Sequence, residues 1–248
     1  MKALPERDPT IDALAPESRS RLATIWAQRA ESELAAGVAF AAVARELREL
    51  DADPVVLELA DQAAADEPRH AELCLRLAAA YAGAPAATPP PRAVTLPEHA
   101  GAGDALRKHL HAAGMCCINE SIACAFIEVC LDDAAGPLVR AIHREHLSDE
   151  IEHARVGWAH FASPRVDAAT RREVARWLPR LLSANLENWR SRIAWLPADG
   201  IAGHALPPSA RCFEAARAAV RDVIIPGFAH VGIDAAHAAA WFASLRPQ

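Results

Sequence analysis

One short pattern occurs twice in the chain, as DEPRHAE around Glu67 and His70 and as DEIEHAR around Glu150 and His153. Each reads Asp-Glu-x-x-His within a run whose apolar residues recur at three- and four-residue spacing, the mark of an amphipathic helix. Residues three apart on a helix stand one turn apart on one face, so a carboxylate and an imidazole so spaced can reach a common cation. A lone Glu-x-x-His arises by chance in many helical chains and usually marks a solvated face. Two of them, in corresponding helices of the two halves, constrain the fold, because those helices must meet if the pairs share a centre.

The periodicity supplies the helices. A first run extends from about Ser18 to Leu50, and Asp51–Asp53 before Pro54 reads as a tight turn. Pro54 opens a second run to about Tyr81, after which AGAPAATPPPRAVTLPEHAGAG is too rich in Pro, Gly and Ala to be packed structure. A third run goes from about Asp104 to Leu131, DDAAGP supplies a turn, and Pro137 opens a fourth that ends near Phe161. The chain is 52% hydrophobic, rich in Ala and poor in Gly and aromatics, which favours helices over sheets. Two antiparallel hairpins joined by one long connection is how ferritin-like four-helix bundles are wired. The expected fold is therefore all-α, a single domain over residues 1–248 with a core bundle at 18–162. Further runs near Ala168–Trp195 and Pro208–Ile225, then a stretch with His237 and Trp241, are expected to form a helical cover at 163–248. Pro179 should kink or divide the first of them.

A shared centre also needs a carboxylate from the first helix of each hairpin. Residues equally far from an antiparallel turn lie opposite each other, at about 1.5 Å per residue. With residue 52 as the first turn, Glu33 stands 19 positions before it, and Glu67 and His70 stand 15 and 18 after it. With residue 134 as the second, Glu120 stands 14 before, and Glu150 and His153 stand 16 and 19 after. Glu31 points to another face than Glu33, and Glu128 lies about two turns nearer its hairpin end, so solvated or supporting roles suit both. Glu33 and Glu120 are followed by LAAGV and by the run Ile122–Ala125, so both are expected to be buried, which is costly for a carboxylate without a cation. Hard oxygen donors with imidazole suit Fe or Mn better than a thiolate-rich structural Zn site.

Two details extend the set. Asp66 and Asp149 precede the two motifs, and metal-bound histidines usually donate their second N–H to a carboxylate or carbonyl. Asp66 is placed to serve His153, and Asp149 to serve His70, with exposed helix acids as the alternative. His146 falls four residues before Glu150 and seven before His153, within a narrow arc of one helix, so a third imidazole is available as ligand or as supporting core residue. His143 shares the arc one turn further off.

The remaining composition narrows the function. The formal net charge is −6 with Lys and Arg scattered, so no footprint for nucleic acid or an anionic membrane is visible. Charges and prolines interrupt the first residues before a signal-peptide core can form, no run of about 18 apolar residues follows, and a cytoplasmic protein without a membrane span is expected. Cys116, Cys117, Cys124 and Cys130 share one predicted helix, face different ways, and read as reduced core thiols.

Together, the motifs resemble the ferritin-like di-iron carboxylate superfamily over roughly residues 20 to 162. AESELAAGVAF, DEPRHAELCLRLAAAYAG, NESIACAF and DEIEHARVGW resemble a bacterial group of ferritin-like domain proteins, and AARAAVRDVIIP extends the likeness more weakly into the tail. His146, in H-x-x-x-E-x-x-H, is similar to the pattern of p-aminobenzoate N-oxygenase-type enzymes. The resemblance implies a ligand set of Glu33, Glu67, His70, Glu120, His146, Glu150 and His153 around two Fe ions, with Mn or a mixed Fe/Mn pair as alternatives. It implies a di-iron oxidoreductase that uses O2 to oxidise a small organic substrate, an amine being the one suggested, with an external electron donor as partner and a homodimer as one assembly. The alternative is ferroxidase or storage activity without an organic substrate. Two features depart from the pattern. Pro68 lies inside the first motif and is expected to kink that helix or displace Glu67. Tyr81 is 11 residues from His70, so a radical role beside the metals is not expected.

Overall fold

The computed structural model describes residues 4–90 and 92–245, so the ends of the expected domain, 1–3 and 246–248, and Pro91 lie outside the described residues. The described chain is helical, and apart from an isolated antiparallel bridge between Ile201 and Leu206 no β-structure occurs among the described residues. The elements are α1 (Pro9–Asp12), α2 (Pro16–Glu49), α3 (Pro54–Ala82), α4 (Asp104–Asp133), α5 (Pro137–Ala162) and α6 (Ala168–Ala194). They are followed by α7, in which Ser209–Ala219, Val220–Ile224 and Ile225–His230 run on without a break, and by α8 (Ala236–Ser244). Both α4 and α7 contain a wider π-helical stretch, Ala112–Asn119 in α4 and Val220–Ile224 in α7.

Prolines start the long helices where a missing N–H is harmless: Pro16, Pro54 and Pro137 are each at a first turn. Asp53 accepts a hydrogen bond from the Val55 N–H, and Asp51, at φ 51°, makes the tight turn between α2 and α3. The buried carboxylate of Asp8 accepts from the Thr10 N–H in α1 and from the Leu138 N–H at the start of α5, tying the N-terminal turn to the second hairpin. Pro68 and Pro179 both sit within helices that continue past them, so neither divides its helix. The short α1 is an element that the periodicity does not announce.

α2 and α3 lie along each other as one hairpin, α4 and α5 form the other, and α3 packs on α5. The buried stripes are regular. α2 buries Leu22, Trp26, Ala30, Gly37, Phe40, Val43 and Leu47, and α3 buries Val56, Ala60, Ala63, Ala71, Cys74, Leu77 and Tyr81. Removing each large side chain from water contributes about 1.5–3 kcal/mol. The acids fall in register with these stripes, Glu33 between Ala30 and Gly37, and Glu67 with His70 between Ala63 and Cys74. α6 and α7 lie against α4, and α8 lies against α6.

Contrary to the expectation that no apolar run of about 18 residues occurs, α4 is long and apolar enough to cross a membrane by length and composition alone. In the fold it packs against α5, α6 and α7, and it carries the buried Glu120. It comes close to α5 at Gly157, where an added Cβ would stand 2.5 Å from Cys117 Sγ and 2.8 Å from the Cys117 backbone nitrogen. Gly157→Ala should therefore lower stability by about 1–3 kcal/mol, the usual penalty of overpacking against backbone. Gly103→Ala, with nothing within 4 Å of the new methyl, should leave the thermal midpoint almost unmoved. Equal melting of the two variants would show that helices α4 and α5 are not so close.

A second feature of this junction is pH-sensitive. His109 and His160 are buried and share a hydrogen bond, Nδ1 to Nε2, at 2.9 Å. Burial, and then the neighbouring His109, push His160 down to about 3. Above the ordinary histidine range both folded and unfolded chains hold this ring neutral. As pH falls from about 6.5 towards 3, only the unfolded chain takes up the proton, so stability is lost at about 1.4 kcal/mol per pH unit. Denaturant titrations between pH 6 and 4 should show a shallower decline for His160→Gln than for the parent, and identical slopes would contradict a neutral buried ring.

Candidate metal centre

The four long helices bring every motif residue to one place. Glu33 comes from α2, Glu67 and His70 from α3, Glu120 from α4, and His146, Glu150 and His153 from α5. All are buried except Glu33, whose side chain keeps 17% of its exposure. His70 Nδ1 is 3.5 Å from Glu67 Oε2 and 3.6 Å from Glu150 Oε1. His153 Nδ1 is 3.4 Å from both Glu67 Oε1 and Glu150 Oε2. His146 Nε2 stands 2.9 Å from Glu150 Oε1 and 3.8 Å from Glu33 Oε1. Two groups have ligand atoms that all lie within 4.8 Å of one another: Glu33, His70, His146 and Glu150, and Glu67, His70, Glu150 and His153. These buried Glu and His groups could hold a metal ion.

Glu67 Oε2, Glu150 Oε2, His70 Nδ1, His146 Nε2 and His153 Nδ1 are all buried without a hydrogen-bond partner. Orphaned polar atoms in a core are rare and costly, and five that belong to two adjoining ligand groups fit a bound cation that would satisfy them. Oxygen and imidazole donors without cysteine in either group suit iron or manganese chemistry. Glu120 belongs to neither group but lies against Glu150, and its other contact is the Asn119 side-chain amide, which donates to Oε1 at 2.9 Å.

Electrostatics mark the same cluster. Burial, and then the Glu150 charge, push Glu120 well above the usual carboxylate range. Burial also raises Glu33 to about 7, with His146 opposing it and Glu67 and Glu150 adding to it. Burial alone would raise Glu150, but contacts with His146 and His153 outweigh it and hold Glu150 well down. His70 rises to about 9 and His153 to about 11, because the adjacent Glu67 and Glu150 overcome the effect of burial on each ring. Without metal, protons must therefore stand in for part of the positive charge that this carboxylate set demands.

The outer nitrogens of the motif histidines turn to the opposite hairpin. His70 Nε2 is 3.1 Å from Asp149 Oδ2, and His153 Nε2 is 3.6 Å from Asp66 Oδ2. Arg69 bridges this rim, with Asp149 on one side and Glu145 at 2.5 Å on the other. His143 is set apart: its Nδ1 donates to the Val139 carbonyl at 2.8 Å, its ring meets Trp26 edge-on, and burial pushes it down to about 3. Glu31 pairs with Arg92, Glu128 is exposed, and Tyr81 bonds His204, so none of these joins the cluster.

Local packing sets the geometry. A methyl on Gly37 would stand 3.1 Å from the Glu67 Cβ and 3.6 Å from Pro68 Cδ, so the glycine lets α2 approach α3 where Glu67 turns inward. Pro68 thus leaves Glu67 inside the cluster, and its ring occupies the α2 interface. Two site residues escaped the sequence reading. The Trp189 indole N–H on α6 donates to Asn119 Oδ1 at 3.1 Å, and Asn119 in turn donates to Glu120. The π-helical stretch ends at Asn119, and such widened turns often sit at functional sites, but no residue pattern here announces one.

A cavity of about 1190 Å³ lies over the cluster, walled by α2, the crossover segment 92–100, α4 and α6. Glu33, Glu67, Glu120, His146 and Glu150 form part of its lining. No family model, curated protein or solved structure matches the chain at a significant level.

The geometry predicts two metal ions per chain in protein from iron-replete cells, read by elemental analysis. Glu150 belongs to both ligand groups, so Glu150→Ala should bring the content below one ion per chain. Asp149→Asn, which leaves the ligands in place but changes the partner of His70, should weaken metal binding by about 10–100-fold. Unchanged metal content in Glu150→Ala would remove the assignment.

Proposed function

We propose that this protein is an O2-activating di-iron carboxylate oxidoreductase on a ferritin-like four-helix bundle formed by α2, α3, α4 and α5. In this reading Glu33, Glu67, His70, Glu120, His146, Glu150 and His153 hold the two ions, and Asp66 and Asp149 orient His153 and His70. Two iron ions so held would supply the electrons and the Lewis acidity for O2 reduction, with further electrons from an external donor. The chain supplies what the metals cannot: a pocket that admits a small organic molecule to one side of the cluster. The observation that carries the proposal is that cavity, which meets the cluster on its carboxylate side and is large enough for an organic substrate. A ferroxidase or storage protein needs a path for ions and has no use for such a chamber. The third histidine supports the same reading, since His146 joins the group that contains Glu33, and the resemblance to N-oxygenases associates such an imidazole with substrate oxidation. An amine is the substrate that the resemblance suggests.

Aerobic titration with ferrous iron separates the two functions. The oxidoreductase reading expects iron oxidation to saturate near two ions per chain, whereas storage expects oxidation to continue as ferric iron accumulates. His146→Ala should retain both ions, since six ligands remain, yet slow O2 consumption by the reduced protein by at least about tenfold, a difference of about 1.4 kcal/mol in barrier. Continued iron accumulation, or an O2 rate untouched by the substitution, would defeat the oxidoreductase proposal.

A further inference from the structure

The cavity has two kinds of wall. Its depth is formed by buried apolar side chains, among them Ala123, Phe126 and Ile127, with Glu33 and Glu120 beyond them. Its rim carries Arg180 and Arg192 on the exposed face of α6 and the half-buried Arg29 on α2. Each of these guanidiniums lies over an aromatic ring. Arg29 is 4.5 Å from the centre of the Trp26 ring and 4.9 Å from that of Phe126, Arg180 is 5.1 Å from Trp177, and Arg192 is 5.5 Å from Trp189. Among the described residues none of the three has a carboxylate within 4.0 Å, whereas the fourth lining arginine, Arg92, is paired with Glu31. Glu98 is the remaining acid of the rim, so cations outnumber anions there although the chain carries a net charge of −6.

An arginine laid flat on a ring is held in place by the ring face and leaves its N–H edge free for a planar anion. Guanidinium edges match the two oxygens of a carboxylate, which makes this the chemistry such a rim would recognise. A cation would meet like charge at the same entrance.

We propose that the cavity binds an organic acid, with its carboxylate at the rim on Arg192, whose ring partner Trp189 packs on Phe126, and its apolar body on Phe126 and Ala123, reaching towards Glu33 and Glu120. The inference names the substrate class of the proposed oxidoreductase and rests on that reading for the chemistry, while the binding itself stands on the cavity alone. It also places the charged group of the ligand away from the metal centre, so the end presented to the metals is an uncharged one.

Three probes of equal chain length and different head group test this: octanoate, 1-octanol and octylammonium, titrated calorimetrically into the full chain as isolated, with metal content measured on the same sample. Octanoate should bind at least about tenfold more tightly than octylammonium, and more tightly than octanol. In Arg192→Gln, an exposed residue outside the metal cluster, octanoate should weaken by about fivefold while octanol stays within about twofold, as expected from losing one rim charge pair, and Arg180→Gln, about 18 Å away along α6, should leave octanoate within about twofold. Octylammonium binding as well as octanoate, full octanoate affinity in Arg192→Gln, or no binding of any probe would each overturn the inference. Acid selectivity in a sample that holds no metal would sustain this site and sink the di-iron reading alone. Two bound ions without head-group selectivity would do the reverse.

Discussion

Four glutamates placed in the apolar stripes of four packed helices are the constraint on which the rest of this structure depends. An isolated buried carboxylate costs several kcal/mol or takes up a proton, and four at close range repel one another as well. Three imidazoles among them relieve only part of that debt, and five of the inward-facing atoms still have no partner. A cluster of this kind persists in a core only if cations or protons enter it. The two Asp-Glu-x-x-His segments are therefore more than a local motif, since each imidazole answers to carboxylates of both hairpins: His70 to Glu67 and Glu150, and His153 to the same two.

That demand explains features that would otherwise look incidental. Gly37 and Gly157 are the points where helices must close up, the first beside Glu67 and the second one turn beyond His153, where any side chain would push α5 off α4. Asp66 faces the outer nitrogen of His153 at 3.6 Å without a hydrogen bond, whereas Asp149, itself held by Arg69, fixes the His70 ring by its outer nitrogen. Trp189 and Asn119 do the same for Glu120 from the other side, and they connect α6 to the cluster by two hydrogen bonds. Removing the C-terminal helices would thus strip a carboxylate of its support as well as uncover a face of α4.

Much of this was legible in the residues. The 3.6-residue period gives the long helices almost to the residue, because proline starts and glycine or aspartate turns punctuate them. Counting from each turn was enough to bring Glu33 and Glu120 to their partners, because antiparallel helices of constant rise leave little freedom in register. Other features depend on contacts between elements far apart in sequence, and no local pattern encodes those. The π-helical stretch before Glu120 is a phase change that packing imposes. Asn119 looks like any polar helix residue until Trp189 arrives from α6, and the three ring-stacked arginines become a feature only when α2 and α6 flank one cavity. Pro68 shows the opposite error: a local rule foretold a disturbance at Glu67, and tertiary packing absorbed it within a continuous helix.

The cluster is also two-sided. His70 and His153 do not line the cavity; they face the closed rim of Asp66, Asp149 and Arg69 on the α3 and α5 side. Glu33, Glu120 and His146 face the cavity on the other side, with edges of Glu67 and Glu150 between them. An imidazole backed by a fixed carboxylate, as His70 is by Asp149, is a rigid donor, whereas a carboxylate at the wall of a chamber can rotate between one and two contacts with little rearrangement around it. Any small molecule entering between α2 and α6 would therefore meet the adaptable ligands first and leave the rigid ones undisturbed. In the proposed reading, the position that opens for chemistry would lie on the Glu33 and Glu120 side, next to His146, in the cavity that α6 helps to wall.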